Sequence, residues 1–304
     1  MEYCFTCEGL CKTYGHCKAL DGLSMHVPKG SIYGFVGRNG AGKTTLYRLI
    51  SGLQRPTAGE FTLYGVRGCD REIHRVRRRM GVIVDTPSIY PDMTAEDNLR
   101  MQYLVLGLPS YEGIRELLEL TGLGDTGKKK AKNFSRGMRQ RLGIAIALAG
   151  NPDLLVLDEP VNGLDPQGII EVRELILKLN RERQITVIIS SHILDELSRL
   201  ATHYGFIDGG RIVKEVSAQE LEASCRKCVR VEVSDPGAFA RVMVSESAEY
   251  RMVSQTAAEI YSDTSVTKLV HALEQEKCEL ISYREQDESL ESYFMNLVGG
   301  KEYE

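Results

Sequence analysis

The stretch Gly37-Arg38-Asn39-Gly40-Ala41-Gly42-Lys43-Thr44-Thr45 sets glycines, an amine and hydroxyls at close spacing. Glycines let a chain bend until successive N–H groups point at one anion. A helix beginning there turns its positive end towards the same place. Lys43 can reach the β- and γ-phosphates of a nucleoside triphosphate, and the Thr44 hydroxyl can hold Mg²⁺. Arg38, Asn39, Ala41 and Thr45 fall in the turn or at the helix start, where backbone contacts count for more than side chains. A second set, Asp158-Glu159, follows the apolar run Leu154-Leu155-Val156-Leu157. The aspartate can bind Mg²⁺ directly or through water, and the glutamate can polarise an attacking water. His192 ends another apolar strand; a neutral imidazole there can reach a γ-phosphate, or be structural. Tyr14 offers an aromatic face to a purine, or is an ordinary turn tyrosine.

These groups need elements to hold them. Ser31–Val36 is an apolar run leading into the glycine loop, and Leu46–Leu53 is amphipathic, so the loop joins a strand to a helix. Leu154–Leu157, between Pro152 and Pro160, and Ile185–Ile189 read as buried parallel strands. Acids at the C-terminal ends of such strands stand where ligands bind in open α/β sheets. Residues 3–35 read as antiparallel strands with turns: Tyr3–Phe5, a break at Lys12–Gly15, then Leu23–Val27. Glu60–Tyr64 and Gly81–Val84 read as strands, and Arg71–Met80 as a basic helix between them. From Asp92 to Gly150 the apolar spacing is helical, an insertion in an α/β core. Ser135 caps a helix that buries Met138, Leu142, Ala145 and Ala149. Residues 216–304 change character, and their order β-α-β-β-α-β is compatible with a small ferredoxin-like domain.

With 304 residues the chain can build a sizeable core and more than one lobe. No apolar run approaches the ~20 residues that cross a bilayer, and Met1–Cys4 does not open a signal sequence. A cytoplasmic protein is expected, reaching a membrane only through a partner. The net charge of −4 and pI near 6.0 argue against a general nucleic-acid binder. Eight cysteines include the spacings Cys4-x-x-Cys7 and Cys225-x-x-Cys228. The pairs fall in different lobes, so reduced thiols rather than a zinc site are expected.

The ordered set resembles the ATP-binding cassette (ABC) proteins. Gly37–Thr44 looks like Walker A and Leu154–Glu159 like Walker B. Phe134-Ser135-Arg136-Gly137-Met138 resembles the signature motif, Leu164-Asp165 the D-loop, His192 the switch histidine and Tyr14 the adenine-stacking aromatic. The resemblance covers roughly residues 2–215. It implies an α/β P-loop NTPase core with an antiparallel β subdomain and a helical subdomain at about 92–150. A nucleotide-binding domain over 1–215 would precede a C-terminal α+β domain over 216–304. It further implies a head-to-tail homodimer in which Ser135, Gly137 and Met138 of one copy face ATP on the other. Glu159 would be the general base, His192 its positioner, and ATP with Mg²⁺ the ligands, while integral-membrane permease subunits would be the partners. Two positions depart from the family pattern. Arg136 replaces the first signature glycine, and Asp85 stands where the Q-loop glutamine is usual, placed to contact Mg²⁺. The phrase Thr86–Pro91 and the ending Gly-Met-Arg-Gln-Arg-Leu resemble most closely the bacitracin-resistance and lantibiotic-immunity ATPases. The resemblance implies export of a peptide antibiotic or other amphiphile. The alternative is a regulatory ATP-binding protein with weak hydrolysis.

Overall fold

The computed structural model describes residues 2–191, 194–224, 227–262, 265–287 and 290–299. The chain divides into two units, Met1–Ala218 and Gln219–Glu304.

In the first unit two strands lead. β1 (Tyr3–Tyr14) and β2 (Cys17–Pro28) form one long antiparallel hairpin whose turn, Gly15-His16, falls at the end of the break expected at Lys12–Gly15; the strands run well beyond Tyr3–Phe5 and Leu23–Val27. Gly9 and Gly22 adopt positive φ, and the register shifts between Cys7 and Leu10 and again before Lys12. These bulges let the pairing continue where the alternation of the sequence is interrupted, so the strands are longer than the sequence suggested. β3 (Ile32–Gly37) is buried over Ile32–Val36, as its unbroken apolar run requires. α1 (Lys43–Ile50) follows the glycine loop. β4 (Ala58–Leu63) and β5 (Val66–Arg67) complete a four-stranded sheet of order β2-β1-β4-β5.

α2 (Ile73–Arg77) is shorter than the basic run Arg71–Met80 suggested. The reason is competition: Met80 already pairs with Leu154, so β6 (Met80–Ile83) begins where the helix was expected to end. Three helices follow, α3 (Ala95–Leu106), α4 (Gly113–Leu120) and α5 (Arg136–Leu148). Thr94 and Asp97 start α3 as a reciprocal capping box, and Gly107 ends it at φ 67°. β7 (Leu154–Asp158) and β8 (Thr186–Ser190), buried at every residue, flank α6 (Pro166–Arg183). After α7 (Leu194–Ser198), β9 (His203–Asp208) and β10 (Arg211–Ser217) close the second sheet. Its order is β10-β9-β3-β8-β7-β6, parallel except for β10. The core of this unit lies around α1. Leu46, Tyr47, Leu49 and Ile50 pack with Phe5, Leu23 and Met25 of the first sheet and with Phe35, Val156 and Ile188 of the second. That sandwich fixes the helix that carries the glycine loop.

α8 (Ala218–Ser224) leads into the second unit. There β11 (Lys227–Val233), α9 (Pro236–Ser245), β12 (Tyr250–Met252), β13 (Ala257–Ile260), α10 (Val266–Gln275) and β14 (Leu280–Asp287) follow in that order. The antiparallel sheet runs β12-β13-β11-β14. Val231, Val233, Ala258 and Ile260 share one face and pack with Phe239, Val242, Leu269 and Leu273 of the two helices. Glu259 alternates to the other face, fully buried, and accepts hydrogen bonds from Tyr261 and from Ser292 of α11 (Leu290–Gly299).

Candidate functional site

The loop between β3 and α1 is shaped by two glycines. Gly40 and Gly42 take φ of 81° and 111°. A Cβ at Gly42 would lie 2.5 Å from the Ala19 carbonyl oxygen, so no other residue fits without moving β2. Lys43 Nζ folds back over the loop and donates to the carbonyls of Gly37 (2.6 Å) and Arg38 (3.1 Å). Burial draws its ammonium below the ordinary lysine value, while the carboxylates of Glu159 and Asp158 pull the other way. The loop therefore holds a lysine ammonium next to an acidic neighbour.

That neighbour is built on strand ends. Asp158, 5% exposed, ends β7. Its Oδ2 accepts from Thr44 Oγ1 at 2.6 Å, and its Oδ1 accepts from Ser190 Oγ at 2.6 Å. Ser190 ends β8 in register with Asp158, and its Oγ also accepts the Glu159 backbone N–H at 3.0 Å. One buried hydroxyl thus ties both acids to the adjacent strand. Glu159 turns out of the sheet at φ 48°, and Asn162 Nδ2 donates to its Oε2 at 3.2 Å. Asp85, just past β6, also takes a left-handed φ, 62°, and its Oδ2 lies 2.7 Å from Arg48 Nη2 on α1. Non-glycine residues hold that conformation at a cost; among the described residues Tyr64, Asn151, Gln184, Ser247 and Lys277 also adopt it, and Asp85 and Glu159 are the two that line this cleft.

A cleft of about 680 Å³ joins these groups; Thr44, Asp85, Asp158, Glu159, Arg136 and Gln140 are among its lining residues. Its far wall is the start of α5. Ser135 is the N-cap, accepting the Met138 N–H at 3.1 Å. The Arg136 side chain lies against the turn after Glu159: a Cβ on Gly163 would come within 2.5 Å of its Cζ. Asp165 caps α6 through the Gly168 N–H at 3.3 Å.

A family model described as ABC transporter matches residues 20–162. The bacitracin transport ATP-binding protein BcrA of Bacillus licheniformis is 40% identical over 294 residues, which is 96% of each chain. This chain belongs to the ABC transporter family. The lantibiotic transport ATP-binding protein SrtF of Streptococcus pyogenes is 43% identical over 68% of this chain and 88% of its own. Among solved structures, the bacterial ABC transporter cassette MJ0796, described as dimeric, superposes with a TM-score of 0.64 at 27% identity. That match covers 70% of this chain and 98% of the cassette. The protein is an ATP-binding, ATP-hydrolysing ABC subunit.

In this ABC protein the cleft brings together Thr44, Asp85, Asp158 and Glu159, which are far apart in sequence. Ser135, Gly137 and Met138 sit at the start of α5, with Lys129 Nζ 3.9 Å from Met138 Sδ. Tyr14 ends β1, 41% exposed; its hydroxyl donates to Gln54, and the Lys12 ammonium stands 5.2 Å from its ring centre. His192 lies outside the described residues, as does Cys225. Cys4 and Cys7 are buried in β1, their thiols pushed up to about 12 by desolvation, and no cluster of metal-type ligands occurs among the described residues.

Sequence reading missed Ser190, Arg48 and Asn98. Ser190 stood in view beside His192, but its role follows only from the β7–β8 register. Asn98 is 2% exposed and fastens the segment before α3: it accepts from Tyr90 N–H (2.7 Å) and donates to the carbonyls of Tyr90 (3.1 Å) and Thr94 (2.8 Å). An asparagine inside a helix, four residues after its cap, was the available signal.

Proposed function

We propose that this chain hydrolyses ATP as one of two identical subunits and so drives a separate membrane permease that exports a peptide antibiotic or a similar amphiphile. The Thr44–Asp158–Ser190–Glu159 chain of hydrogen bonds supports the chemistry best. Thr44 spends its proton on Asp158, which leaves its lone pairs free for a cation, and the buried carboxylate beside it supplies charge. These hard oxygen donors fit Mg²⁺, and such an ion would neutralise charge on the β- and γ-phosphates. Thr44 and Asp158 would hold it, with Asp85 in the same cleft. Lys43 exchanges its loop carbonyls for phosphate oxygens, and the N–H groups of the Gly37–Thr45 loop cradle them. Glu159 accepts the proton of the attacking water, and His192 positions it.

Ser135 and Arg136, exposed at the start of α5, support a shared site, since a helix N-terminus attracts an anion supplied by another copy. On this reading Ser135, Gly137 and Met138 complete the triphosphate site of the partner, and Asp165 lies close to the joint. Tyr14 carries the adenine. The permease would meet the segment Asp85–Asn98. A groove of about 620 Å³ beside that segment, with Val84, Pro87, Gln102, Leu106 and Ile146 among its lining residues, supports the assignment. No helix among the described residues is long and apolar enough to cross a membrane, so a spanning partner is needed for transport. The names of BcrA and SrtF support the substrate class. Residues 1–215 form the nucleotide-binding domain in this proposal, and 216–304 an accessory domain.

The test is Glu159→Gln. Turnover is expected to fall by at least about 10²-fold, while ATP now holds two chains together in size-exclusion chromatography. Unchanged turnover refutes the role of Glu159. Wild-type turnover per chain should also rise with protein concentration.

A further inference from the structure

One face of α1 carries two contacts with strand-end acids. Thr44 reaches Asp158 at the end of β7, and one turn later Arg48 reaches Asp85 after β6. Positions four apart share a helix face, so a single rigid helix holds both carboxylates. The two contacts differ in kind. The first is largely buried; the second joins side chains that are 38% and 57% exposed. Exposed ion pairs are weak and easily exchanged. Asp85 lines the same cleft as Thr44, Asp158 and Glu159, so its carboxylate has a second destination within the site.

We propose that Arg48 is a positioning residue for the divalent-cation site, acting through Asp85. Its guanidinium holds the Asp85 carboxylate against α1 and neutralises one of the three acids around the cleft. When a cation arrives with the nucleotide, Asp85 exchanges Arg48 for it. Arg48 thereby sets how tightly the cation is held: without it Asp85 is free at all times, and the cleft carries one more uncompensated negative charge. The left-handed backbone at Asp85 agrees with a residue held in place by its partner. A purely structural pair would alter thermal stability and leave metal binding alone. This inference rests on the nucleotide-binding reading of the cleft.

The experiment measures ADP affinity of the full-length protein with and without Mn²⁺, so that hydrolysis plays no part. The readout is the ratio of the two affinities. In Arg48→Gln the ratio should rise about five-fold at low ionic strength, the ceiling that an exposed pair allows, and the rise should shrink in high salt. Arg48→Lys should stay near wild type because it keeps the charge. Arg48→Gln combined with Asp85→Asn should lose the rise, because the freed carboxylate is gone. Arg48 is 38% exposed and makes a surface ion pair, so these variants should fold. A ratio in Arg48→Gln equal to wild type overturns the proposal, and so does a rise that survives Asp85→Asn. If the wild-type protein binds no ADP at all, the nucleotide-binding reading itself fails. If it binds ADP and only the ratio stays fixed, the role of Arg48 alone fails.

Discussion

Ser190→Ala removes one hydroxyl from the centre of the site. Ser190 is fully buried, donates to Asp158 Oδ1 and accepts the Glu159 N–H. Truncation leaves a buried carboxylate oxygen and a backbone N–H short of partners at once. A hydrogen bond to a charged group contributes about 1.5–3 kcal/mol, and an unsatisfied buried N–H costs about 1–3 kcal/mol. The loss should therefore total about 3–5 kcal/mol. For a unit of this size that is roughly a 10 °C fall in melting temperature. Catalysis should suffer too. Asp158 and Glu159 would no longer be fixed to β8, and displacement by about 1 Å can cost 10²-fold in rate. Differential scanning calorimetry gives the first quantity, and a phosphate-release assay at saturating ATP the second. A stability loss under about 1 kcal/mol together with unchanged turnover would refute the claim that Ser190 organises both acids.

Other outcomes follow from single residues. Asn98→Ala should cost about 1–3 kcal/mol by orphaning the Tyr90 N–H, while the Tyr90 and Thr94 carbonyls keep the Met93 and Asn98 N–H groups; faster hydrogen exchange at Tyr90 should report it, and unchanged exchange would contradict the fastening role. Gly163→Ala places a Cβ on Arg136 and fixes a non-glycine at φ 66°, so it should destabilise by about 2 kcal/mol. Adding Arg136→Ala should restore the steric share and leave the backbone share, a non-additivity visible in denaturant titration. Cys4 and Cys7 keep their protons in the folded chain up to about pH 12, against 9.0 for a free thiol. Above pH 9 the unfolded chain releases protons that the folded one retains, so these thiols lower stability as pH rises from there. Native-state alkylation at pH 8 should accordingly label exposed Cys17 and Cys69 and spare Cys4 and Cys7.

The parts of the site that the sequence displayed are those set by local chemistry. A glycine loop between an apolar strand and a helix, and two acids closing a buried strand, need no tertiary information to be seen. The capped start at Ser135 belongs to the same class. What stayed hidden depends on pairing between distant segments. Ser190 matters because β8 lies in register with β7, and Arg48 matters because β6 ends beside α1. The β1–β2 strands were read too short for a related reason, since their bulged glycines interrupt the alternation by which strands are recognised. Likewise α2 stops early because Met80 is claimed by a strand partner 74 residues away.

Both Asp85 and Glu159 sit in the left-handed region of backbone space, where glycine rests at no steric cost and an acidic side chain does not. Selection for folding alone would thus favour glycine or asparagine at positions 85 and 159 and discard the acids. A thermostabilised variant obtained without an activity screen is most at risk of becoming inert at these two positions, and they should be held constant in any consensus design or stability-guided library.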